Sequence, residues 1–182
     1  MKIGIIGSGR VGYSMGKYMQ DHGIRVTGFY DRHRERALDA AQFTGTDSFD
    51  RIEDLVAASD TLFLTTSDGE IANVWDCIRH LSIQGKIICH FSGSLSSDQF
   101  QGIEKTRAYG LSIHPMLAFS DKYTSYKQLQ NAFFTLEGHA QALAVMEPLL
   151  QKMGNPVQRI APEQKALYHA AAATLSNQVV AL

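Results

Sequence analysis

Apolar residues along the chain recur with two periods. Short apolar and β-branched runs predict buried strands at Lys2–Ile6, Arg25–Tyr30, Asp60–Thr66, Lys86–Phe91, Ala108–Ile113, Ala132–Glu137 and Val157–Ile160. Between them, apolar positions three and four apart predict amphipathic helices. One runs from the turn at Gly7–Gly12 to about His22-Gly23. Others span Glu35–Gln42, with Ala37, Leu38 and Ala41 inward, and Arg51–Ser59, with Ile52, Leu55 and Val56 on one side. Ser67-Asp68 caps a helix over Gly69–Leu81, a shorter helix is expected near Ser97–Ile103, and His139–Met153 aligns Leu143, Met146, Leu150 and Met153. Pro115 is expected to end a strand after His114, and Pro148 to kink its helix or end that helix's first half. Residues 117–131 read as a short helix or a flap. A last helix starts at Pro162 and runs to the end of the chain. Strand alternating with helix is the signature of an α/β fold, here a doubly wound, mostly parallel sheet with helices on both faces.

The first strand runs straight into Gly7-Ser8-Gly9-Arg10-Val11-Gly12, and the second ends in Asp31. Each glycine has a physical task. Gly7 lets the strand turn tightly, Gly9 lets a pyrophosphate approach the backbone, and Gly12 lets the helix pack on the strand. The free N–H groups and positive dipole end of the helix then face the phosphates. Asp31 stands 24 positions after Gly7, the spacing expected for an acid that binds a ribose diol. The stretch predicts dinucleotide binding through Gly7, Ser8, Gly9, Arg10, Val11, Gly12 and Asp31. Asp31 favours the unphosphorylated ribose of NAD, whereas Arg32 and Arg34 suit a 2′-phosphate, an adenine stack or a solvated helix start. The balance leans slightly to NAD over NADP.

Composition narrows the classes. The net charge is −1, so no basic surface for nucleic acid is expected. No apolar run approaches the ~20 residues of a membrane span. The opening strand leaves no room for a signal peptide, and the expectation is a cytoplasmic protein. Cys77 and Cys89 form no metal or redox motif and are expected as small core or near-core residues.

Strand ends in a doubly wound sheet face the cofactor, so Thr65, Thr66 and Ser67 are candidates to line it. Ser92, Gly93 and Ser94 follow the next strand and suit a cleft that admits a flat ring and a small substrate. Ser92 is expected to touch both cofactor and substrate. With Gly93, Ser94 and His114 it forms the substrate-binding set. On the last helix Lys165, His169, Ala172 and Ser176 fall within about 60° of one another. Lys165 and His169 are the candidates for proton transfer, a neutral-pH task that suits imidazole and suits a lysine whose pKa burial has lowered. His90, His114 and His169 lack short ligand spacing and an accompanying carboxylate, so no metal site is expected. The final helix stays apolar on several sides to the chain end. It needs further chain or a second subunit to cover it.

Gly7–Gly12, His90-Phe91-Ser92-Gly93-Ser94, His114-Pro115-Met116 and Lys165–Asn177 together resemble an uncharacterised Rossmann-like, NAD(P)-binding oxidoreductase family. That family is related to pyrroline-5-carboxylate reductase, ketopantoate reductase, the β-hydroxyacid dehydrogenases and the deazaflavin-dependent NADP reductases. The resemblance implies a Rossmann domain over 1–160. Residues 161–182 would then be the first helix of a helical domain, cut short here, that completes the cleft and pairs two copies into a homodimer. It also implies that Lys165 matches a proton-transferring lysine of the β-hydroxyacid dehydrogenases. Four positions on, this chain has His169 where those enzymes carry asparagine. The expected function is hydride transfer, with NAD or NADP, to or from a small carboxylate-bearing or imine substrate. The alternative is a non-catalytic dinucleotide-binding sensor.

Overall fold

Strand side chains point alternately to opposite faces, so a strand covered on both faces must be apolar throughout. The central runs of this chain meet that condition. A computed structural model describes residues 1–180, with side chains throughout except at 173 and 175–180. It contains β1 (Ile3–Ile6), β2 (Val26–Tyr30), β3 (Asp47–Ser48), β4 (Thr61–Leu64), β5 (Ile87–His90), β6 (Tyr109–Pro115), β7 (Phe134–Gly138) and β8 (Val157–Arg159). They form one sheet in the order β3-β2-β1-β4-β5-β6-β7-β8, parallel at every pairing except β6 against β7. The expected α/β, mostly parallel architecture is what forms. The chain reverses direction across the sheet between β1 and β4, and the C-terminal ends of these strands frame a crevice there.

The helices are α1 (Arg10–Asp21), α2 (Arg34–Thr44), α3 (Ile52–Ala58), α4 (Asp68–Ile78), α5 (Ala140–Lys152) and α6 (Lys165–Val180). On one face Tyr13, Met15 and Met19 of α1, Ala37 and Ala41 of α2, and Met146 and Leu150 of α5 pack on Ile3, Ile5, Phe63 and Cys89. On the other, Leu55 of α3 and Ile71, Trp75 and Ile78 of α4 pack on Ile6, Leu62, Leu64 and Ile88. Phe63 goes one way while Leu62 and Leu64 go the other, which is the pleat turned into two cores.

Several expectations need correction. Leu38 is 43% exposed, because the buried stripe of α2 is Ala37, Ala40 and Ala41, and Leu38 lies about 100° from Ala37. The expected helix near 97–103 is two short 3-10 turns, Ser97–Gln99 and Ile103–Lys105, separated by the left-handed Gly102. The strand before Pro115 does not stop at His114. Beyond Ser112 it has left β5 and pairs only with β7, so a missing N–H at Pro115 breaks no bond on the open side. Helix α5 continues through Pro148, which is exposed, so the carbonyl it leaves unpaired is free to meet water. The two-residue edge strand β3 has no apolar run to announce it. The segment 117–131 carries a 3-10 helix at Ser125–Asn131, and Pro162 opens a 3-10 turn that leads into α6.

Candidate active site at the carboxyl edge of the sheet

The glycine turn builds the first half of the site. Gly7 takes φ +101°, and α1 begins at Arg10. A Cβ on Gly12 would lie 2.3 Å from the Gly7 carbonyl oxygen and 2.7 Å from Thr65 Oγ1, so only glycine allows this approach. The Thr65 hydroxyl donates to the Gly7 carbonyl at 2.6 Å and ties β4 to the turn. Above Gly9 the nearest atom to such a Cβ is 3.8 Å away, which leaves room over the backbone.

A cleft of about 420 Å³ opens there, with Gly7, Ser8, Gly9, Asp31, Arg32, Thr65, Thr66 and Ser67 in its walls. Ser8 Oγ and Thr66 Oγ1 are buried, and neither has a hydrogen-bond partner among the described residues. Orphaned hydroxyls beside an open glycine and a helix start fit the phosphates of a dinucleotide. Asp31 accepts the Ser8 N–H at 2.7 Å and the His33 N–H at 2.9 Å, so it also shapes the turn. Arg10 is exposed in the first turn of α1, Val11 packs against the core, and Gly12 lies under the turn. Arg34 pairs on the surface with Asp50 at 2.5 Å, and the second arginine of the cleft is Arg36. Cys77, expected as a core or near-core residue, is exposed and lines the cleft, while Cys89 is buried as expected.

The second half forms where β5 and β6 end. Ser92 Oγ donates to Asp68 at 2.8 Å, and Ser94 Oγ donates to the same carboxylate oxygen at 3.3 Å. Ser92 Oγ in turn accepts the N–H groups of Ser94 and Leu95 at 3.2 and 3.0 Å, which closes the loop on itself. His90 Nε2 lies 3.0 Å from the Ser96 carbonyl and must donate to it, which leaves Nδ1 to accept the Ser92 N–H at 3.3 Å. The bond at Nδ1 requires neutral imidazole, and burial pushes the His90 pKa down to about 4.

Lys165, at the start of α6, is 1% exposed. Its Nζ donates to the Ser92 carbonyl at 2.8 Å and to the Ser112 hydroxyl. Burial pulls its pKa down to about 8, against the opposing pull of Glu137 and Asp68. One turn on, His169 faces Gly93. A Cβ on Gly93 would lie 2.3 Å from His169 Nδ1 and 2.8 Å from His114 Nε2, so the two imidazoles converge on this glycine. Their ring centroids are 5.6 Å apart. Burial, and then the charges of Lys165 and His169, push the His114 pKa down to about 4. Ala172 is half-buried, and the Ser176 side chain of the same stripe lies outside the described residues.

Sequence reasoning missed several neighbours. Glu70, Asn73, Val74 and Cys77 line the cleft from α4 at intervals of three and four, a helical periodicity that was available to be read. The sequence marks Asp68 only as part of a helix cap, yet its carboxylate holds Ser92 and Ser94. Ser112 looked like an ordinary strand residue. Among the described residues no three His, Cys, Asp or Glu side chains gather as a metal site, and no helix is long and apolar enough to cross a membrane.

Residues 1–82 match the family model described as an oxidoreductase family with an NAD-binding Rossmann fold. Residues 132–182 match a domain of unknown function, DUF2520. No curated protein matches the chain. Among solved structures, the chain is similar to protein TM1727 from Thermotoga maritima, with 24% identity, a TM-score of 0.73, and coverage of 98% of this chain and 65% of that one. It is also similar to a putative NADP oxidoreductase, BF3122, from Bacteroides fragilis, with 20% identity, a TM-score of 0.84 and coverage of 98% and 67%. An imine reductase from a Pseudomonas species shows 19% identity, a TM-score of 0.77 and coverage of 99% and 63%. The chain spans about two thirds of the length of these structures. It has the Rossmann fold of the NAD(P)-binding oxidoreductases.

Proposed function

We propose that this chain holds NAD(P)H along the carboxyl edge of its sheet and passes hydride to or from a small carboxylate-bearing or imine substrate. One observation carries the reading. The cleft at Gly7–Gly9 and the polar cluster of Ser92, His114, Lys165 and His169 stand on neighbouring strand ends of one sheet edge. The likeness to an imine reductase and to a putative NADP oxidoreductase supports the same class. When bound, the nicotinamide supplies the hydride chemistry. The chain's own residues bind, orient and move protons. Ser8, Thr66 and the first turn of α1 face the phosphates. Asp31 suits a ribose diol, and Arg32 and Arg36 suit a 2′-phosphate, so we read the cleft as accepting both NAD and NADP. Ser92, Gly93 and Ser94 form the floor for the substrate. His114 and His169, over Gly93, reach the substrate heteroatom, and Lys165, with its pKa near 8, is the proton source behind them. A further proposal is that α6, whose sequence is apolar on several sides, begins a helical domain and packs against a second copy.

Fluorescence titration with NADH and NADPH tests the reading, and binding of neither overturns it. Turnover is then sought with 2-oxo acids, 3-oxo acids and cyclic imines. Lys165→Met and His169→Ala should each lower kcat by about 10²-fold while the chain still binds cofactor. Unchanged turnover in both removes their assigned roles. A second reading, a dinucleotide sensor without catalysis, draws on the enclosure of Lys165, whose Nζ is held by Ser92 and Ser112. Cofactor binding with no turnover across the panel favours it.

A further inference from the structure

Cys77 and Cys89 are the two cysteines of the chain, and the fold treats them oppositely. Cys89 is buried on β5, where burial raises its thiol pKa far above the ordinary range. Cys77 is exposed on α4 and stands in the wall of the cleft of about 420 Å³ that begins at Gly7–Gly9. The same wall contains Asn73 and Val74, one turn earlier on α4, and the cleft also holds Arg32 and Arg36. An independent feature marks this space as a ligand site. Ser8 lines it, is 6% exposed, and its Oγ has no partner among the described residues. A buried hydroxyl left unpaired at a cavity wall is satisfied by a ligand atom.

We propose that Cys77 is a modification site that takes small anionic disulfides of the glutathione type, and that its thiolation and dinucleotide binding exclude one another. The inference rests on the dinucleotide reading of the cleft. Arg32 and Arg36 offer partners for the carboxylates of an anionic reagent within a cleft whose walls also hold Asp31 and Glu70. The Cys77 thiol gives its proton to water, and the thiolate attacks one sulfur of the reagent. A bond forms between Sγ and that sulfur, and the reagent's S–S bond breaks. The second sulfur leaves with the electron pair as a thiolate. Cys77 is thereby oxidised to the disulfide level, and the departing sulfur is reduced. The retained group occupies the wall of the cleft that the dinucleotide needs, and a dithiol reductant reverses the change. Cys89 takes no part, because a buried, protonated thiol is neither accessible nor nucleophilic.

The probe is dithiobis-nitrobenzoate, a dianionic disulfide whose leaving thiolate is coloured, with the labelled peptide identified by mass. One thiol should react rapidly in the folded protein, and it should be Cys77. Saturating NADH or NADPH should slow that reaction about tenfold or more, and the labelled protein should lose about tenfold or more in nucleotide affinity until dithiothreitol restores it. In Cys77→Ser the rapid release should vanish, and nucleotide binding, whatever its affinity in that variant, should not respond to the reagent. Rapid labelling of Cys89 instead, or complete labelling of Cys77 with unchanged nucleotide affinity, overturns the inference and leaves the dinucleotide reading standing. Failure of the untreated protein to bind either nucleotide overturns both.

Discussion

The two halves of the site are built by different means. The half proposed for the dinucleotide consists of short contiguous pieces, Gly7–Gly9, Tyr30–Arg32 and Thr65–Ser67, each at the end of a parallel strand. Its proposed hold on phosphate rests on backbone N–H groups and on the space that missing side chains leave. The half proposed to transfer protons comes from distant positions. Lys165 reaches Ser92 and Ser112 across sequence separations of 73 and 53 residues, and His169 meets His114 over a glycine on a third segment. Its property is desolvation, which holds histidines neutral and lowers a lysine toward neutrality. A phosphate can be held by almost any chain that presents bare backbone at a helix start. A proton can be held at a chosen affinity only where tertiary packing excludes water.

That contrast can be broken most severely at Gly12. Gly12→Ala forces a methyl against the Gly7 carbonyl and the Thr65 hydroxyl. A stability loss on the order of 2–4 kcal/mol is expected in denaturant titrations, with loss of NAD(P)H binding. Retained affinity would show that the turn has room that its geometry denies. A smaller effect concerns the other half. His90 and His114 sit at about 4, against 6.5 in an unfolded chain. As pH falls from 6.5 to 4 the unfolded chain takes up protons that the fold refuses. Stability is therefore full above 6.5, declines through that window and levels off below 4. Lys165, at about 8 against 10.5, has the same sign at higher pH: the unfolded lysine keeps a proton that the folded one sheds, so stability gains as pH rises from 8 to 10.5. Thermal melts should show an acid-side loss on the order of a few kcal/mol. A melting temperature that stays flat from pH 6.5 to 4 would mean that both rings are hydrated. The smallest effect is one of preference. Arg36→Ala should weaken NADPH about tenfold and change NADH by less than about twofold in paired titrations. Equal losses for the two nucleotides would make Arg36 an adenine or wall contact rather than a phosphate ligand.

Much of the first half is legible in the sequence alone. Strand, glycine turn, helix, strand and acid occur in order within the first 31 residues, and each piece announces itself by local rules. The second half was legible as a list of residue types and not as an arrangement. Ser92, His114, Lys165 and His169 could each be named, because small hydroxyls, histidines and a lone lysine at strand ends or on a helix stripe are suited to chemistry. Their partners could not. Asp68 looked like a helix cap because Ser67-Asp68 has the composition of one, yet Ser67 makes no side-chain cap and Asp68 binds the loop after β5. Ser112 sits in the middle of a strand, where a serine carries no signal until Lys165 arrives from α6. Arg34 and Arg36 differ only in helical phase, which decides that one meets Asp50 on the surface and the other meets the cleft.

By itself the sequence determined the fold class, the direction of the sheet and the glycine turn, because periodicity, glycine and chain order act over a few residues and need no distant partner. Tertiary structure alone decided that Cys77 faces the cleft while Cys89 is sealed. It also decided that Lys165 is buried between β5 and β6, and that two histidines meet over Gly93. Burial and charge proximity are sums over the whole neighbourhood of a group, and that neighbourhood exists only once strands far apart in the chain lie side by side.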